Sequence, residues 1–117
     1  VKNTPEIHAR VRTLTAEGLA TTNRAHKTLD LIKEAEKEDA SISAAFFPLA
    51  AKVIETYADV IMGTSDMIAT YKHWEDYQSD ELVIEQLTQA TDQFHTGLMA
   101  LNTALDEIDA LLDEVTK

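Results

Sequence analysis

The chain has 117 residues, with no cysteine, three glycines, two prolines and a formal net charge of −11. That length suits a single domain, residues 1–117, and so little Gly and Pro excludes a loop-rich or all-β architecture. Without thiols there is no disulfide framework, thiolate metal site or cysteine nucleophile, and the negative balance excludes nucleic acid or anionic lipid bound by general electrostatic attraction, favouring instead a basic partner.

The longest apolar run, Ala44 to Ala51, contains Pro48 and is eight residues long, against roughly 20 needed to cross a bilayer. No membrane span is expected. The chain begins at Val1, a start compatible with a removed leader or anchor, so the compartment is left open.

Thr4, Pro5 and Glu6 read as a helix start: a hydroxyl cap, proline at the first helical position and an acid in the positive first turn. The apolar stripe Ile7, Val11, Leu14, Gly18, Thr21, Ala25, Thr28, Ile32 and Ala35 carries this helix to about Lys37. Its middle is small. Gly18, Thr21, Thr22 and Ala25 either admit a neighbouring helix or a bulky side chain closely, or leave a pocket for a small ligand.

Glu36 to Ser43 is a polar connection in which Asp39 caps a short helical turn through Ala45, a short fourth helix. Pro48 then places the start of the second long helix near Phe47, because an interior proline clashes with the carbonyl four residues back at a cost of about 3 kcal/mol. From there to about Trp74 two apolar seams run side by side. One is Ala50, Ile54, Tyr57, Ile61 and Ile68; the other is Val53, Val60, Met67, Tyr71 and Trp74. A stripe that wide predicts a helix flanked by two neighbours inside the bundle.

After a turn at Glu75 to Ser79, the residues Ser79, Asp80 and Glu81 give the third helix a capped, acidic start. Ile84, Leu87, Thr91, Phe94, Leu98, Leu101, Leu105, Ile108, Leu112 and Val115 then alternate steps of three and four to the end of the chain. So long a stripe must be buried against other helices. The expected fold is all-α: an up-down-up antiparallel bundle of three long helices with a coiled-coil-like period.

Charge divides unevenly, +2 over residues 1–37, −5 over 38–79 and −8 over 80–117. Asp106, Glu107, Asp109, Asp113 and Glu114 crowd the negative end of the third helix. Lys27, Lys33 and Lys37 of a parallel first helix are expected to offset them.

No constellation specifies a chemistry. The histidines are His8, His26, His73 and His95, and no two stand four apart, so the HExxH zinc pattern is absent. Asp92 and His95 form one Asp-x-x-His step, where a di-metal bundle needs two Glu-x-x-His steps. His26-Lys27 and His95-Thr96-Gly97-Leu98 both lack the His-x-x-Lys-Gly pattern of phosphotransfer bundles. There is neither a nucleophile elbow nor a phosphate loop. Tyr71, His73, Trp74 and Tyr77 cluster at the end of the second helix as a core cap or a recognition surface.

The sequence therefore predicts a non-enzymatic protein–protein interaction module without cofactor or metal, whose partner is a protein or a second copy of itself. Val83, Ala90, Ala104 and Leu111 form an additional row beside the third helix's main stripe. With Asp109 and Asp113 on its border, that row is the expected contact edge. The alternatives are a sensor or small-molecule bundle with its pocket at Gly18, Thr21, Thr22 and Ala25, and thirdly a phosphotransfer or metal-binding bundle.

Overall fold

The computed structural model describes residues 4–116. Three long helices follow one another, α1 (Thr4–Glu38), α2 (Ser43–Asp76) and α3 (Glu81–Val115), with no strand among the described residues. Each is about 50 Å long at 1.5 Å per residue, and the bundle measures 58 × 20 × 15 Å. None of the described helices is long and apolar enough to cross a membrane.

Short-range chemistry sets the ends. The Asp39 carboxylate accepts the Ser41 amide at 3.0 Å and its hydroxyl at 2.6 Å, and those bonds hold that carboxyl below its ordinary pKa. They nucleate a single 3₁₀ turn, Ala40–Ile42, that runs straight into α2. The connection thus holds three residues of 3₁₀ helix rather than a separate helix through Ala45. At the other connection the Asp80 carboxylate accepts the Leu82 amide at 2.9 Å and caps α3.

Pro48 does not start α2; the helix already begins at Ser43 and runs through it. The compensation is nonlocal. Phe46, one turn in, is 1 % exposed, and fully burying such a side chain contributes about 1.5–3 kcal/mol, comparable to the proline's cost. Ala44 and Pro48 are exposed, so water can take the carbonyl that lacks a helical donor. Phe47 is 74 % exposed, so only one of the two phenylalanines closes the bundle end.

Side-chain pairs give the helix directions. Arg10 meets Asp92 and Arg24 meets Asp106, both 82 residues apart, so α1 and α3 run parallel and in register. His8 meets Tyr71 and His26 meets Tyr57, so α2 runs the other way. Lys52 of α2 reaches Glu107 of α3 at 3.6 Å.

The innermost helix is α3. Leu87, Phe94, Leu101 and Ile108 form its fully buried centre line; on one side lie Thr91, Leu98, Leu105 and Leu112, on the other Val83, Ala90 and Ala104, all buried as well. A Cβ added at Gly97, in the latter row, would stand 3.6 Å from Val60 of α2. Each flanking row is therefore taken by one neighbour. Across the bundle Phe94 is 2 % exposed and lies between glycines of the other two helices: a Cβ at Gly18 would stand 2.8 Å from its ring tip, and one at Gly63 3.4 Å from its ring edge.

Candidate functional site

Seven-residue rows on α2 divide the helix into a covered and an uncovered half. Phe46, Val53, Val60, Met67 and Trp74 are buried, at 4 % exposure or less. The row one residue further on, Phe47, Ile54, Ile61 and Ile68, is 74, 65, 55 and 40 % exposed, and Met62 beside it 71 %. The expectation that both seams of this helix lie inside the bundle is thus corrected. In a triangular bundle both neighbours stand on the same side of a helix, so they cover one seam and leave the other open. Contacts of α2 are mainly with α3, and α1 touches α2 less than it touches α3.

Between α1 and α2 the surface sinks into a groove of about 290 Å³, lined from α1 by Ala25, His26 and Leu29 and from α2 by Val53, Ile54, Tyr57, Ala58 and Ile61. Its floor is aliphatic. The His26 and Tyr57 rings meet edge-on, with centroids 6.1 Å apart, and supply the polar tips. Along the outward sector of α2 from Ala44 to Tyr71, the residues Phe47, Ala51, Ile54, Ala58, Ile61, Ser65 and Ile68 repeat at steps of four and three. The exposed charged residues of this stretch, Lys52, Glu55, Asp59 and Asp66, stand to one side of that row. The period is legible in the sequence; which of two equally apolar seams faces outward is not.

The row expected as the contact edge on α3 is largely covered within the bundle. Val83, Ala90 and Ala104 are 5, 4 and 0 % exposed and Leu111 is half-buried against the core, because α2 covers the row that was expected to lack a neighbour. Of the bordering acids, Asp109 is held by Arg24 at 2.7 Å, while Asp113 is exposed and lines a shallow groove with Leu31, Glu34 and Leu112.

Part of that acidic end is paired, by Arg24 of α1 and by Lys52 of α2. Arg24 forks onto Asp106 at 2.6 Å and Asp109 at 2.7 Å and also donates to the Asn102 amide oxygen at 3.0 Å. The bonds to Asp109 and Asp106 raise its pKa further above the ordinary arginine value, against a smaller opposing effect of burial. Lys37 pairs within its own helix, with Glu34 at 3.4 Å. A sequence signal existed: Arg10 and Arg24 stand fourteen residues apart, as do Asp92 and Asp106, so both ion pairs recur on one face after four turns.

Gly18, Thr21 and Ala25 are buried and Thr22 half-buried, but the space opposite Gly18 is filled by Phe94 and Thr21 accepts a hydrogen bond from Asn102 at 3.1 Å. Thr21 lines a shallow groove of about 240 Å³ with Glu17, Ala20, His95, Leu98, Met99 and Asn102, and Ala25 lines the α1–α2 groove. Asp92 is taken by Arg10 at 2.8 Å and His95 is exposed, and among the described residues no three acidic or imidazole groups are placed to share a metal. At the far end of α2 the Tyr71 and Trp74 rings stack at 5.8 Å, His8 hydrogen-bonds the Tyr71 hydroxyl, and Trp74 is buried with no hydrogen-bond partner for its indole N–H among the described residues. His73 tilts against Tyr77, which is half exposed. The cluster combines a core cap with an exposed rim.

Comparison of the chain with protein-family models, with curated proteins and with solved structures gave no match.

Proposed function

We propose that this chain is a non-enzymatic helical module for protein–protein contact and that it docks through the outward face of α2. The observation that carries the reading is the exposed row Phe47, Ile54, Ile61 and Ile68 with Met62. These five side chains present roughly 600 Å² of apolar surface, taking large side chains at about 150–250 Å² each. That is the upper end of what a soluble monomer carries without a partner. Scattered exposed leucines need no explanation, but a continuous row on one helix does. The groove toward α1, with its aliphatic floor and polar tips at His26 and Tyr57, suits side chains of an incoming helix. The face offers no converging set of acid, base and nucleophile, which supports a binding rather than a catalytic role.

A photo-reactive side chain placed at position 61, with a control at Gln89 on the polar side of α3, tests the reading in cells that produce the chain. A discrete protein adduct from position 61 and none from position 89 is expected. Absence of any adduct from position 61 refutes docking through this face.

A further inference from the structure

We infer that α1 is a releasable arm, which lifts from the α2–α3 pair as one unit on the connection at residues 39–42 and so uncovers a second apolar face, on α3, that the closed bundle hides.

The three helices share the core unevenly. α1 contributes Val11, Leu14 and Ile32 as large buried side chains, and its other buried positions are Gly18, Thr21, Ala25 and Thr28. α2 contributes Phe46, Val53, Val60, Met67 and Trp74, and α3 eight large apolar side chains between Val83 and Leu112. Apolar area removed from water is what holds helix to helix, so α2 and α3 grip one another more firmly than either grips α1.

Polar ties make up part of the difference. Among the described residues every side-chain hydrogen bond between long helices has α1 at one end: His8 with Tyr71, Arg10 with Asp92, Arg24 with Asn102, Asp106 and Asp109, and Thr21 with Asn102. Partly exposed ion pairs of this kind contribute little net, because water replaces them at small cost. Grooves follow α1 as well. Three run along its seam with α3, of about 60, 240 and 300 Å³, and reach Thr91, Leu98 and Leu112; the α1–α2 groove lies on its other side.

The hinge is the 3₁₀ turn Ala40–Ile42 with its cap Asp39, none of which is buried. Local opening takes the element with the fewest buried apolar contacts, and here that element is α1. As it lifts, Leu98, Leu105 and Leu112 of α3 become accessible, while Val60 of α2 stays packed beside Gly97. A detached helix with Gly18, Thr21, Thr22 and Asn23 at its middle is not stable alone in water, so the lifted arm loses its helical hydrogen bonds.

Native-state hydrogen–deuterium exchange of the full chain, read by mass spectrometry on peptides and corrected for intrinsic rates, tests this. Residues 14–28 of α1 are expected to be at least about tenfold less protected than residues 98–108 of α3. Arg24→Ala, on the α1–α3 seam, is expected to speed exchange over 14–28 by about fivefold and to leave 98–108 unchanged. Ala104→Gly, in the α3 row that α2 covers, is expected to do the reverse, with about fivefold faster exchange over 98–108 and little change over 14–28. Equal protection of the two segments, or either variant shifting both alike, means that the bundle opens only as a whole and overturns the releasable arm.

Discussion

Replacing the three glycines by alanine, one at a time, measures how closely the helices approach. In a helix each such change contributes up to about 1 kcal/mol of stability through backbone entropy, and only the space around the new Cβ differs between the sites. At Gly97 that atom would meet Val60 at 3.6 Å, an ordinary contact, so Gly97→Ala is expected to stabilise by about 0.5–1 kcal/mol. Gly63→Ala places it 3.4 Å from the Phe94 ring edge and 3.7 Å from the Phe94 Cα; a small repulsion offsets the gain, and the net change is about zero. At Gly18 it would stand 2.8 Å from the ring tip, so the ring must retreat by about 0.7 Å to regain contact distance. Phe94 cannot do so freely, being 2 % exposed and backed by Gly63 on the far side. Overpacking of this kind costs about 1–3 kcal/mol, and Gly18→Ala is expected to lose about 1 kcal/mol net, roughly 4 °C in melting temperature. Urea denaturation of the three variants gives the order directly. In a Phe94→Leu background the sign at Gly18 should reverse, since the ring tip is gone. If Gly18→Ala stabilises as much as Gly97→Ala in the native background, Phe94 does not press on α1 and the packing described between the three helices is wrong.

Leu101→Ala, at a position of 0 % exposure in the centre of α3, is expected to cost about 2–5 kcal/mol by urea denaturation; a loss under 1 kcal/mol would mean that the stripe is not the core. Arg24→Ala removes the fork onto Asp106 and Asp109 and should cost about 1 kcal/mol at low salt, less as salt is raised toward 1 M. No change at either salt would show that the pair contributes nothing. For Asp39 the folded carboxyl titrates below its ordinary value of 3.8, so its contribution is fully present above that pH and fades as pH falls through the folded value. The difference in urea midpoint between wild type and Asp39→Ala should therefore be present at pH 7 and shrink as the pH is taken below the ordinary value of 3.8. A difference that persists unchanged in acid would assign the effect to something other than the carboxylate.

What the sequence by itself determined is local and periodic. The ten-position stripe of α3, the caps at Asp39 and Asp80 and the small middle of α1 are legible because a helix brings residues three and four apart onto one face, and a cap acts within three residues. Tertiary structure alone decided which face meets which neighbour. Both seams of α2 are equally apolar, and the one at Val53 and Val60 is covered only because α1 and α3 stand on that side; the row at Val83, Ala90 and Ala104 is covered because α2 does. Likewise Arg24, rather than Lys27, Lys33 or Lys37, meets the acidic end of α3, because that depends on how α1 is rotated about its own axis. Pro48 lies inside α2 because burying Phe46 offsets it, a contribution that exists only once the helices have docked. The sequence carries the period, and the docking of helix on helix supplies the phase.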